Sequence, residues 1–318
     1  MTSAEAVALP SSEDVDVPGP APAAPKQSSG RRALTPYLFL SPTLVLLIGL
    51  MAVPIAMVIA YSFMKRAITN PDTSFVGLDN YLAVIQDPSF TVSLVNTLIF
   101  CAVSVVAHFV IGLAFALLLN SDLVPVGLRV AFRAILILPW LFTVAVTAVL
   151  WRMLLSPNGV INYLATNAGV VGAPIEWLSS ADLALPAITF INIWCGYPFF
   201  MISLLAGLQG IPQDLYEAAK VDGAGPVAQF VSVTLPQLRP VIISMALLDF
   251  IWTSQQFALI WMTTGGGPIN ATEVLSTFTY KLAFASYDFA EASASAVIVL
   301  LLSTILAVLY VRHQRAKE

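Results

Sequence analysis

Residues 211–236 read IPQDLYEAAKVDGAGPVAQFVSVTLP, a polar interruption between two long apolar segments. Two helix signals sit inside it. Pro212 fits the first turn of a short helix, where its missing N–H costs nothing, and Gly223 fits the left-handed residue that stops one. Between them Leu215, Ala218, Ala219 and Asp222 recur at i, i+3, i+4 and i+7. That spacing gathers a small, mostly apolar face while Glu217 and Lys220 project elsewhere. Small side chains on such a face let another protein come close. A second helical stretch opens at Pro226, carries Val227, Phe230 and Val231 along one face, and is expected to end before Pro236. The two halves read as a hinged knob of a size to fit a partner.

The knob is surrounded by membrane segments. The 318 residues are 58% hydrophobic and only 10% charged, far below the roughly 25% charge of soluble domains. A spanning helix needs about 20 apolar residues, and six stretches supply them, near 37–64, 91–119, 131–155, 183–208, 240–263 and 292–311. The expected fold is an all-α integral membrane protein with six transmembrane helices and the knob, residues 211–236, between the fourth and fifth. Residues 1–32 are rich in Pro, Ala and Ser with no aromatic residue, a composition that cannot order itself and is expected to remain a tail ahead of a transmembrane domain over 33–318. Pro42 and Pro54 are expected to tilt or kink the first span.

Basic residues set the orientation. With the N-terminus inside, Lys26, Arg31, Arg32, Arg129, Arg133, Lys220, Arg239, Arg312, Arg315 and Lys317 fall on the cytoplasmic side, against Lys65, Arg66, Arg152 and Lys281 outside. This asymmetry is the positive-inside pattern, and it places the knob and both termini in the cytoplasm.

Several chemistries find no support. No Gly-x-x-x-x-Gly-Lys-Ser/Thr phosphate loop occurs, and Gly223-Ala224-Gly225 and Gly265-Gly266-Gly267 lack the Lys-Ser/Thr that must come after them. The chain is therefore expected not to hydrolyse ATP and to be no enzyme by itself. His108 and His313 stand far apart in opposite surroundings, so no metal site is expected, and His108 reads as a hydrogen-bonded packing residue. Cys101 and Cys195 both fall in apolar segments and suggest no disulfide.

Ionisable groups within a span cost roughly 2.5–3.5 kcal/mol to insert and so face a cavity or a partner. Asp249 is the clearest. On a helix it shares a face with Trp252, Thr253 and Gln256, with Gln255 beside it. Carboxylate, indole, hydroxyl and amide groups together suit a polyol, whose hydroxyls need donors and acceptors while its C–H faces lie on aromatic rings. Asn192, Trp194 and Tyr197 precede Pro198 in the fourth span and form a second candidate row, since Pro198 leaves a carbonyl without its helical donor. Helix packing is the competing explanation for both rows, and no obvious basic partner for Asp249 stands out.

The knob also carries a specific resemblance. Glu217-Ala218-Ala219, three residues, Gly223, nine residues, then Val233-Thr234-Leu235-Pro236 is similar to the coupling motif of permease subunits in bacterial ATP-binding-cassette importers, with Val233 in place of the usual Ile. Shorter segments, Phe75–Tyr81, Leu138-Pro139-Trp140 and Thr264–Pro268, resemble the maltose and glycerol-phosphate type of sugar-importer permease. The resemblance implies the type I importer fold and a plasma-membrane location. The implied partners are a second homologous permease, two cytoplasmic ATPase subunits that use ATP, an extracytoplasmic solute-binding protein and a sugar. This chain would bind no cofactor and no nucleic acid. It further implies that Glu217, Ala218, Ala219, Asp222, Gly223, Leu235 and Pro236 form the ATPase-coupling surface. Import of a non-sugar solute, or a carrier working alone, are the alternatives left open.

Overall fold

The computed structural model describes residues 29–68, 74–121 and 125–315. Among these the chain is helical, with one isolated antiparallel bridge between Met64 and Phe75. Helix α1 (Ser29–Leu47), a π turn (Ile48–Ala52) and α2 (Val53–Tyr61) run on without a break. Next come α3 (Asp79–Gln86), α4 (Pro88–Asn120), α5 (Val126–Leu141), α6 (Val144–Leu154), α7 (Val160–Asn167) and α8 (Ala181–Gln209). The second half comprises α9 (Gln213–Val221), α10 (Pro226–Gln229), a second π turn (Phe230–Thr234), α11 (Leu235–Ser254), α12 (Ala258–Thr263), α13 (Leu275–Phe284) and α14 (Phe289–Arg315).

Five stretches are long and apolar enough to cross a bilayer: Phe39–Tyr61, Pro88–Asn120, Ala181–Gln209, Pro226–Ser254 and Phe289–Arg312. Helices α5 and α6 meet at 96° and make a sixth crossing when taken as one broken span. The all-helical membrane fold expected from the sequence is present, with corrections at particular points. The chain divides by contacts into Met1–Pro54 and Ile55–Glu318, and the apolar core lies within the second unit.

The third span is not one helix. Pro139 removes a backbone N–H near the end of α5, Phe142 and Thr143 are extended, and the Thr143 hydroxyl accepts from Val146 N–H at 3.4 Å to start α6. The fifth span begins earlier and ends earlier than expected, running through Pro226–Ser254, with α12 as a separate short helix. The stop expected before Pro236 does not occur. In a π turn each N–H bonds five residues back, and here Leu235 N–H donates to Phe230 O immediately before Pro236. The first unit repeats the device, with Val53 N–H donating to Ile48 O just before Pro54. The widened turn makes room where the pyrrolidine ring would strike the preceding carbonyl, so each proline is absorbed into a continuous helix. Residues 1–28 of the expected tail lie outside the described residues, and its last four, 29–32, belong to α1.

Asp87 caps α4 by accepting from Ser89 N–H at 2.7 Å, with Pro88 at the first helical position. Helices α4 and α8 then pack closely along their length. At Gly112 an added Cβ would lie 2.5 Å from Phe200 Cβ, and at Gly196 it would land on the His108 imidazole. One glycine on each helix thus lets the two backbones approach, as small residues do between membrane helices.

Three apolar clusters form the interior. The first joins Phe100, Trp151, Ile188 and Ile260, and the second joins Leu113, Phe200, Leu204 and Leu238. A third, around Phe90 and Phe278, ties α4 to α13 and α14. Beside it the Thr264–Glu273 loop folds over an ion pair between the buried Glu273 and Lys281, and the Asn96 amide donates to Glu273 O at 2.9 Å, Ala271 O at 3.2 Å and Asn270 O at 3.3 Å. Gly266 has φ +89°, and a Cβ there would meet the Glu273 carboxylate, which accounts for glycine in this run.

Candidate functional site

Helices α4 and α8 each pass from the first apolar cluster to the second, and between them each carries polar residues. On α4 these are Ser104 and His108, between Phe100 and Leu113; on α8 it is Asn192, between Ile191 and Phe200, with Gly196 one turn on making room for the His108 ring. Asp249 enters the same layer from α11. The carboxylate, 7% exposed, has a basic partner after all: its Oδ2 lies 2.8 Å from Nδ1 of His108, which is 1% exposed. The other ring nitrogen, Nε2, lies 3.1 Å from Asn192 O. Asn192 Nδ2 donates to Ser104 Oγ at 3.0 Å, so three spans are joined through one buried histidine.

His108 is the buried, hydrogen-bonded residue its sequence suggests, and it pairs with Asp249, for which no obvious basic partner stands out in the sequence. A signal for it existed, because an intramembrane carboxylate needs a partner and His108 is the one basic side chain near the middle of the six stretches read from the sequence, Arg133 and Arg152 lying at the ends of theirs. Pairing of this kind is what makes the buried charge tolerable; removing one member of such a pair costs about 3–5 kcal/mol.

Against this layer opens a cavity of about 250 Å³. Asp249, Asn192, Trp252, Thr253 and Gln256 line it, as do Cys195 and Gly196. The break in the third span supplies the opposite wall through Pro139, Trp140, Phe142 and Thr147. Extended backbone at membrane depth is tolerated where it lines such a cavity. Gln256 is brought in by a turn beyond the end of α11, since the helix closes at Ser254, and not by helical spacing. Gln255 is exposed and outside the cavity lining. Trp194 and Tyr197 are not in the lining either. Trp194 stacks on Phe142 at 6.1 Å and meets Trp151 edge-on, and the Tyr197 hydroxyl donates to Leu136 O at 3.0 Å, so both brace the broken span from behind.

The residue 211–236 segment forms the elbow its sequence describes. Helix α9 ends at Asp222, Gly223 is left-handed at φ +79°, and Ala224 N–H reaches back to Ala219 O at 2.9 Å, closing the turn. The root of the elbow is fixed: Ile211 and Phe230 pack on the second apolar cluster, and Tyr216 Oη lies 2.9 Å from the buried Thr234 Oγ1. Its tip is bare, with Val221 88% and Val227 77% exposed and Glu217, Ala218, Asp222 and Gly223 also exposed. Pro236 is exposed at the base and Leu235 half-buried.

Comparison with known proteins places the whole chain, not these two features, in a family. The family described as "Binding-protein-dependent transport system inner membrane component" matches residues 82–317. The chain is 35% identical over 292 residues to the trehalose/maltose transport system permease protein MalF of Thermococcus litoralis, covering 91% of this chain and 96% of that one. It is 32% identical over 287 residues to the sulfoquinovosyl glycerol transport system permease protein SmoG of Agrobacterium fabrum, covering 90% and 92%. Its fold is similar to a chain in the crystal structure of a bacterial alginate ABC transporter in complex with an alginate pentasaccharide-bound periplasmic protein, with a TM-score of 0.76, 24% identity and coverage of 88% and 93%.

Proposed function

Because the chain belongs to the binding-protein-dependent transport system inner membrane component family, we propose that it forms half of the solute path of an ATP-driven sugar importer. The observation that carries this reading is that one continuous helix, Pro226–Ser254, runs from the elbow to Asp249, Trp252 and Thr253 of the cavity wall. A push on the elbow therefore has a direct route to the cavity.

In this reading the elbow faces the cytoplasm, as do both termini. Glu217, Ala218, Ala219, Asp222 and Gly223 dock into a separate ATPase subunit, and Leu235 and Pro236 fix the base from which they project. Two such ATPases, a second homologous permease and an external solute-binding protein complete the machine in the plasma membrane. ATP is consumed by the partners. Their closure tips the spans between inward- and outward-facing states, a rigid-body alternation. Asp249, Thr253, Asn192 and Gln256 meet the hydroxyls of the sugar and Trp252 its C–H face. Trp194 and Tyr197 hold the wall.

The test is uptake of labelled trehalose and maltose by proteoliposomes holding the complete importer. Accumulation should require the binding protein outside and ATP on the elbow side. Uptake by this chain alone, or without ATP, overturns the reading.

A further inference from the structure

We infer that His108 sets the charge selectivity of the cavity: by neutralising Asp249 it makes the wall supplied by this chain fit for an uncharged solute and unfit for an anionic one. This rests on the proposed function only in placing the cavity on the solute path.

Counting protons gives the charge. Asn192 O is a carbonyl and can only accept, so the contact at 3.1 Å requires a hydrogen on His108 Nε2. At the other nitrogen, Nδ1 and Asp249 Oδ2 are 2.8 Å apart. Two lone pairs would repel at that distance, so one proton lies between them. Whether it sits nearer nitrogen or oxygen, the pair carries no net charge. Cys195 is the only other ionisable side chain of the lining. Both nitrogens of the imidazole are already engaged, so the wall holds no cation free to meet a carboxylate or sulfonate, and an unpaired anion pays heavily for leaving water.

Two polar atoms remain underused. Asp249 Oδ1 is 3.5 Å from Thr253 Oγ1, and Gln256 Nε2 is 3.5 Å from Asn192 Oδ1, both longer than a good hydrogen bond. One spare acceptor and one spare donor suit a hydroxyl, which is both. His108 touches neither of these atoms. It is a specificity-determining residue that acts through Asp249, and the imidazole fits only because residue 196 is glycine.

Cys195, in the lining, is a built-in reporter, whereas Cys101 is fully buried. The experiment compares hydroxyethyl, sulfonatoethyl and trimethylammonium-ethyl methanethiosulfonates on the complete importer in nanodiscs, with C195A as the blank. Each reagent forms a mixed disulfide with the thiolate and releases methanesulfinate, so changes in thiolate content cancel in the ratio of cationic to anionic rates. In the wild type the hydroxyethyl reagent should label Cys195, and the ratio should match that on free 2-mercaptoethanol. H108Q strands the carboxylate and should raise the ratio about tenfold. D249N and H108Q/D249N should hold it at the wild-type value.

A wild-type ratio already biased tenfold toward the cation, which needs no variant to assemble, overturns the inference. So does a ratio that H108Q leaves unmoved. No labelling by the hydroxyethyl reagent overturns both this inference and the placement of the cavity on the path. The expected ratios in an importer that takes up no sugar would overturn the sugar alone.

Discussion

Tyr216 Oη and Thr234 Oγ1, 18 residues apart in the chain, meet at 2.9 Å and pin the first arm of the elbow to the π turn below it. The contact ties α9 by its side chains to the segment that leads into the cavity helix, so the stiffness of the elbow depends on it.

Y216F should therefore leave insertion and assembly intact while loosening the elbow by about 1 kcal/mol. The expected outcome is faster amide exchange over residues 213–222 and a lower ratio of solute moved to ATP hydrolysed. Unchanged exchange would show that packing of Ile211 and Phe230 suffices.

E217K reverses a charge at the exposed tip without touching the spans. Truncating or reversing a charge that meets a partner costs about 2–5 kcal/mol in binding, so co-purification of the ATPase should fall at least tenfold while the chain still reaches the membrane. Full recovery of the ATPase would remove Glu217 from the docking surface.

G196A places a methyl group against the His108 ring, in a layer with no slack. Overpacking of this kind costs about 1–3 kcal/mol, and the purified complex should melt several degrees lower. G127A is the control, since nothing lies within 4 Å of a Cβ there.

Q256A removes the spare amide donor at the cavity. Uptake should fall several-fold with assembly unchanged, and most of the loss should appear as a raised KM, because the amide is expected to hold solute and not to drive the cycle. A variant with normal KM would return Gln256 to packing.

N96A withdraws one amide from the carbonyls of Asn270, Ala271 and Glu273. Leaving these part-buried carbonyls unmatched costs about 1 kcal/mol. Proteolysis within residues 264–273 should accelerate, with the remaining spans still protected.

The legible parts of this fold were those written in local chemistry. Run length and hydropathy located the spans, and Gly223 with its flanking prolines located the elbow, because a left-handed residue and a missing N–H act where they stand. Pro236 misled, because the neighbouring π turn compensated for it, a compensation that hydropathy does not report. The break at Phe142–Thr143 had its signals in Pro139 and a capping threonine, but an unbroken apolar run masked them. Asp249 was recognisable as exceptional in its own span, whereas its pairing with His108, 141 residues away, depends on how α4, α8 and α11 are packed. Gln256 was placed near Asp249 by a helical spacing that the chain does not use.

The π turn at Phe230–Thr234 also sets a phase. A helical wheel advances roughly 100° per residue, and a π turn accommodates one residue more than the α spiral would. A wheel drawn straight through from Val227 would thus point Asp249 about one residue step away from where it lies. Deleting a single residue within 230–234 would restore the plain spiral and reset the azimuth between the elbow and the cavity wall, with composition and hydropathy almost untouched.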